Sequence, residues 1–169
     1  GEFAYFLDLQ YFHEDGWRDF SESGVFNGLG TLSWKGDDGQ LNLTLAGANS
    51  SLIGNGAIPV ELEAVNRAAV FTHPDKTSNH FFLSALDGNL WVNEETEVAG
   101  NIYYRSNRID SLNGDGSEFE ECNDAPAFLC EEGSDEIVED VNGNLVAATD
   151  AVEGGTLNTS ETDQWSFGL

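Results

Sequence analysis

His73, Asp75 and His80 are the residues whose types best suit a metal ion, since imidazole and carboxylate both ligate and Pro74 would stiffen the turn between the first two. They lack the His-Glu-x-x-His spacing, and a turn at the return to a strand accounts for them, so no metal site is assigned. Asn113-Gly114-Asp115-Gly116-Ser117-Glu118 offers oxygen ligands around flexible glycines, which suits Ca²⁺. It lacks the ordered carboxylates of the twelve-residue calcium loop, and a solvated turn is expected there. Cys122 and Cys130 enclose seven residues, whereas a metal or redox pair would want two and further Cys or His ligands close by. The chain has no Gly-x-Ser-x-Gly elbow and no phosphate-cradling glycine loop. Its carboxylates are too numerous to single out an acid and a base. No catalytic residue and no cofactor is expected, and the chain does not read as an enzyme.

The surrounding composition narrows the options. The 169 residues carry 31 acidic against 6 basic side chains, a formal charge of −25. That excludes nucleic acid as a partner, because no basic surface exists to neutralise phosphates. It also disfavours attraction to anionic head groups. No apolar run reaches the roughly 18–20 residues of a membrane-spanning helix. Beyond Arg108 there is no Lys, Arg or His, and residues 110–169 hold 16 of the 31 acids, the pattern of a solvated or disordered block. With no Met and no signal-like opening, and with alternation in Asp163–Leu169 that stops as it begins, the sequence reads as a piece cut at both ends.

The elements that must position these residues are strands. Phe3, Tyr5, Leu7, Leu9 and Tyr11 alternate with Ala4, Phe6, Asp8 and Gln10. Over 40–46, Leu41, Leu43 and Leu45 face away from Gln40, Asn42 and Thr44. Over 96–105, Val98, Ile102 and Tyr104 oppose Glu97, Asn101, Tyr103 and Arg105. Residues 79–91 form a further strand with a bulge expected near Gly88, and 25–34 a weaker one softened by Gly28 and Gly30. Five strands and the start of a sixth are predicted, with a short helix over 59–70 opened by Pro59.

The connections alternate in length. Turns at 35–39 and 93–95 are tight, whereas 13–24, 50–78 and 111–160 are long. An outer-membrane barrel has a reason for that asymmetry, with short turns toward the periplasm and long loops outside. Trp34 and Trp91, each closing a strand before a short turn, stand where an interfacial aromatic girdle belongs. On this reading Leu41, Leu43, Leu45, Val98, Ile102 and Tyr104 face lipid, and Asn42, Thr44, Glu97 and Asn101 face the lumen. The predicted class is therefore all-β: an antiparallel transmembrane β-barrel segment of about five to six strands, with residues 1–169 one partial barrel domain.

Several stretches, in this order, resemble the TonB-dependent receptors of Gram-negative outer membranes: YFHEDGWRDFSES (11–23), GLGTLSW (28–34), GNGAIPVELEAVNRAAVFTHPDKTSN (54–79), GNIYYRSNRIDSLNGD (100–115) and FEEC (119–122). The likeness implies a 22-stranded barrel with an internal plug, energised by the inner-membrane TonB complex through parts of the protein outside these residues. It implies outer-membrane lipid as surroundings and energy-coupled uptake of a scarce solute such as a ferric siderophore. In that oxidising compartment Cys122 and Cys130 are expected to form a disulfide. Arg105 and Arg108, near the outer end of the fifth strand, either balance acidic charge or touch an anionic ligand, the former being preferred.

Residues 111–160 hold 13 acids and no base, too little apolar matter to fold firmly. They read as an external lid ordered only locally, by the disulfide and by a hairpin at Asn142-Gly143, and favouring cationic or metal-carrying solutes. A second reading of the residues is a soluble secreted lectin-like module with acidic, Ca²⁺-ordered loops.

Overall fold

The computed structural model describes residues 1–54, 56–116, 119–140, 142–148 and 155–169. The elements in chain order are β1 (Glu2–Glu14), β2 (Ser23–Lys35), β3 (Gly39–Ile53), α1 (Val60–Val65), β4 (Asp75–Asn93), β5 (Thr96–Gly116), β6 (Phe119–Glu121), β7 (Leu129–Glu131) and β8 (Gly155–Gly168). The protein is all-β. Six strands form one antiparallel sheet in the order β1-β2-β3-β4-β5-β8, while β6 and β7 pair separately. The sheet is open, with β1 and β8 at its edges.

Strict alternation produces these strands, since pairing in register keeps like residues on one face. Tyr5 stands opposite Leu32, Leu32 opposite Leu43, Leu43 opposite Leu86 and Leu86 opposite Ile102. This apolar row crosses five strands. On the reverse face Asn42 pairs with Asp87 and Asp87 with Asn101. The face assignment expected for Leu41, Leu43, Leu45, Val98, Ile102 and Tyr104 therefore matches the register.

The tight turns close as expected. Gly36 N donates to Gly39 O at 2.8 Å, and Glu95 N donates to Asn93 Oδ1 at 2.9 Å. Trp91 N donates to Asp38 O at 2.7 Å, which ties the two turns together. Because every strand reverses direction, both short turns lie at one end of the sheet and the long connections at the other.

Several boundaries differ from expectation. The fifth strand does not stop near 105 but runs to Gly116, because β8 pairs along it from Tyr103 to Gly116. That partner follows a long insert, so its pairing leaves no local trace in the sequence. Asn113–Gly116 is consequently strand, not a solvated turn, and Ser117 and Glu118 lie outside the described residues. Register passes through Gly88 unbroken, and the irregularity falls between Trp91 and Asn93. Gly88 is needed for another reason: a Cβ there would come within 2.5 Å of Gln40 O. The helix is shorter than 59–70, with Pro59 as its N-cap.

Candidate functional site

The apolar face of the sheet is uncovered. Tyr5, Leu7 and Leu9 remain 86, 65 and 60% exposed, and Trp165 and Phe167 69 and 72%. Aromatic rings are spread over its height. Phe3 and Trp34 pair near the short turns; Tyr11 pairs with Phe26 eight residues up β1. Trp165 and Phe167 stack with ring centres 6.1 Å apart, and Phe82 lies 6.5 Å from Tyr104. Trp91 departs from the expected girdle. It pairs with Glu97, so alternation sends it to the polar face while Trp34 stays on the apolar one.

The polar face is laced by side-chain hydrogen bonds between neighbouring strands. Asn42 Nδ2 donates to Asp87 Oδ2 at 2.8 Å, and Asn79 Nδ2 to Ser50 Oγ at 3.1 Å. Thr31 and Thr44 hydroxyls meet at 3.3 Å, and Asn89 donates to Glu97. Such pairs fix register on a mixed face that also carries Phe6, Phe12, Leu29 and Tyr103.

Arg105 and Arg108 are not brought together. Three positions apart on one strand, they point to opposite faces. Arg105, paired with Leu83 and Ser166, lies exposed on the polar face. Arg108 lies on the other, in the cross-strand row of Tyr11 and Phe26, and meets Asp110 at 3.2 Å, Glu161 at 2.7 Å and Asp163 at 3.9 Å. It balances charge in an otherwise acidic corner. Sequence reasoning missed this cluster, because Glu161 and Asp163 reach it only through the β5–β8 register.

The long loops 15–22 and 54–74 pack on each other. Asp19 N donates to Ala68 O at 2.8 Å and Arg18 Nη1 to Gly56 O at 3.0 Å. The Arg18 and Arg67 guanidinium groups lie 5.6 and 5.7 Å from the Trp17 ring centre, within cation–π range. Phe20, in the left-handed region with φ 51°, stacks on His73 at 4.1 Å. His73 is thus occupied by an aromatic contact, Asp75 opens β4, and His80 pairs across from Arg108. Among the described residues no three His, Cys, Asp or Glu side chains converge as a metal site.

The insert between β5 and β8 contains the Cys122–Cys130 disulfide, with Cα atoms 5.0 Å apart. Its parts are not separately ordered, as the sequence suggested, but joined. Leu129 N donates to Val146 O, Val138 N to Leu129 O, and Ala148 N to Ala127 O. Cys122, Leu129, Cys130 and Ala148 are buried. The Asn142-Gly143 turn forms with Gly143 at φ +80°, although residue 141 lies outside the described set. Asp140 Oδ1 accepts from the N–H groups of Asn142 at 2.8 Å and Asn144 at 2.9 Å. Hydrogen bonds from Asn144, then from Asn142, hold the Asp140 carboxyl at about 2, below its ordinary 3.8.

Comparison with known protein families, with curated proteins and with solved structures gives no match for this chain.

Proposed function

We propose that this chain is wall of a TonB-dependent outer-membrane receptor that takes up a scarce solute such as a ferric siderophore. One observation carries the reading: a six-stranded sheet with a continuous apolar face that no second layer covers among the described residues. A lectin-like sandwich would press that face against another sheet about 10 Å away. Lipid is the remaining solvent for it. The extent of the apolar face supports this, running from the Phe3–Trp34 row to the Tyr11–Phe26 row, roughly 26 Å along β1 or about 20 Å of height at barrel tilt. That is close to the apolar band of about 25 Å in outer-membrane barrels. The hydrogen-bonded polar face then lines the lumen, and its open edges β1 and β8 pair with further strands of the wall.

The loops at the Trp17 end face outward, and the insert samples ligand there. Coupling to the TonB complex would run through other parts of the protein. The test is the full-length protein expressed in a Gram-negative host. It should fractionate with the outer membrane and support ferric-siderophore accumulation that stops when TonB is deleted. Deleting residues 123–150 should leave assembly intact and weaken uptake. Recovery of the full-length protein in a soluble fraction, or uptake indifferent to TonB, would overturn the reading.

A further inference from the structure

The apolar face changes character along its height. From the Phe3–Trp34 row to the Leu9–Gly28 row it carries no charged side chain, and the next row brings His80, Arg108 and Asp163. At that boundary a recess of about 480 Å³ opens in the surface. Its floor is Ser106 on β5. Phe82 on β4 and Trp165 on β8 pair with Ser106 from either side, so they flank it as two exposed aromatic walls. Tyr104 closes the recess toward the apolar rows, and Arg108, with His80 and Asp163 beside it, closes the charged end. Both neighbouring strands are paired with β5 throughout this stretch, so all four sides belong to the sheet itself.

Dimensions and chemistry narrow the occupant. Phe82 and Trp165 stand two strand spacings apart, about 9.5 Å at the backbone. Contact on both faces of one ring takes about 7–8 Å between walls, which leaves room for one saturated ring and not for two. The polar end offers a donor beside an acceptor. Arg108 gives Nε to Asp110 at 3.2 Å and holds Nη2 against Glu161 at 2.7 Å. Its Nη1 lies 3.9 Å from Asp163, too far for a hydrogen bond. Neighbouring hydroxyls of one ring can accept from Nη1 and donate to Asp163, and the Ser106 hydroxyl can serve a third. Charge excludes the alternatives. Three carboxylates around one guanidinium repel an anion, while the guanidinium at the recess repels an ammonium. What remains is a neutral ring with apolar C–H faces and hydroxyl edges.

We propose that this recess binds a neutral hexopyranose ring, stacked between Phe82 and Trp165 with adjacent hydroxyls on Arg108 and Asp163. The three strands carry the site by themselves. Only the source of the sugar rests on the membrane-wall reading: the recess lies where the charge-free rows end, so the ring arrives as the head group of a glycolipid.

The experiment is saturation-transfer NMR on the full-length protein in a sugar-free detergent. Methyl glucoside, methyl galactoside and methyl mannoside are the neutral probes, with glucuronate and choline as charged ones. At least one neutral glycoside should take saturation through its ring C–H protons, and neither charged probe should. Trp165→Ala should weaken that binding about tenfold, and Ser106→Leu, which fills the floor, should abolish it. Tyr11→Ala removes an exposed ring from the row of Arg108 at the far edge of the sheet and should change nothing. Preference for choline, silence from every glycoside, or indifference to Trp165→Ala in a folded protein would overturn the site. In bilayers, native mass spectrometry should show a monohexosyl diacylglycerol retained over plain diacylglycerol, a preference that Ser106→Leu removes. Equal retention by an inserted protein would overturn the lipid source. Binding of the free glycoside by a protein that stays out of bilayers would keep the site and overturn the membrane-wall reading instead.

Discussion

The six-stranded sheet holds most of the chain, yet the only residue it buries is Gly114. The insert over 119–148 has just two three-residue strands, and it contains Cys122, Leu129, Cys130 and Ala148, the buried apolar residues among those described. The sheet is held by long runs of backbone pairing and takes its specificity from which face each side chain occupies. The insert is held by a small centre that a covalent bridge helps to close. Apolar matter alone does not make an interior: the sheet is far richer in it and has none. What differs is whether the apolar residues face one another or face outward together.

The largest expected effect tests the outward-facing side. In the full-length protein in bilayers, Leu43→Arg should cost roughly 2–4 kcal/mol near the midplane, whereas Thr44→Arg on the reverse face should cost much less. Equal costs in denaturant titrations would mean the two faces share one environment. Replacing Cys122 and Cys130 by Ser should weaken the insert by roughly 2–3 kcal/mol, as expected for so short a loop. Hydrogen exchange should then quicken over 119–148 and not over β1–β5. Quickening across the sheet as well would mean the two regions are one cooperative unit.

A smaller effect is expected at Arg108. Arg108→Ala leaves Asp110, Glu161 and Asp163 facing one another, and should loosen the β5–β8 pairing slightly, with high salt narrowing the gap. A loss that salt does not reduce would point to packing by the Arg108 stem instead.

The smallest is confined to one turn. The Asp140 carboxyl is held at about 2 against 3.8 in an unfolded chain, so its ionised form favours the folded turn. That contribution is complete above about pH 4 and fades as pH falls through about 2. Amide exchange at Asn142 and Asn144 should rise over that window in the parent protein and stay flat in Asp140→Ala.

The legible parts of the molecule are those with local signals. Alternation placed Leu41, Leu43 and Leu45 on one face, and Gly36 and Gly39 marked a tight turn that forms. What escaped depends on residues distant in sequence. The upper half of β5 exists because β8 pairs with it across the insert. The Arg18–Trp17–Arg67 contact depends on two loops meeting, and its only advance signal was that Arg18 and Arg67 are the bases in those loops. Trp91 leaves the expected girdle because its parity in β4, not its place at a strand end, decides its face. The insert was underestimated because its acidity obscured how few apolar residues a disulfide-closed centre requires.

The length of β5 has a mechanical consequence. Beyond Asn113, where β4 begins opposite at Asp75, β5 and β8 continue together for three more residue pairs, from Gly114–Leu157 to Gly116–Gly155. That is roughly 10 Å of two-stranded ribbon. The insert therefore follows a short two-stranded ribbon. A two-stranded ribbon twists more freely than a wide sheet. That ribbon can bend while the disulfide and the hydrogen bonds of the insert stay intact.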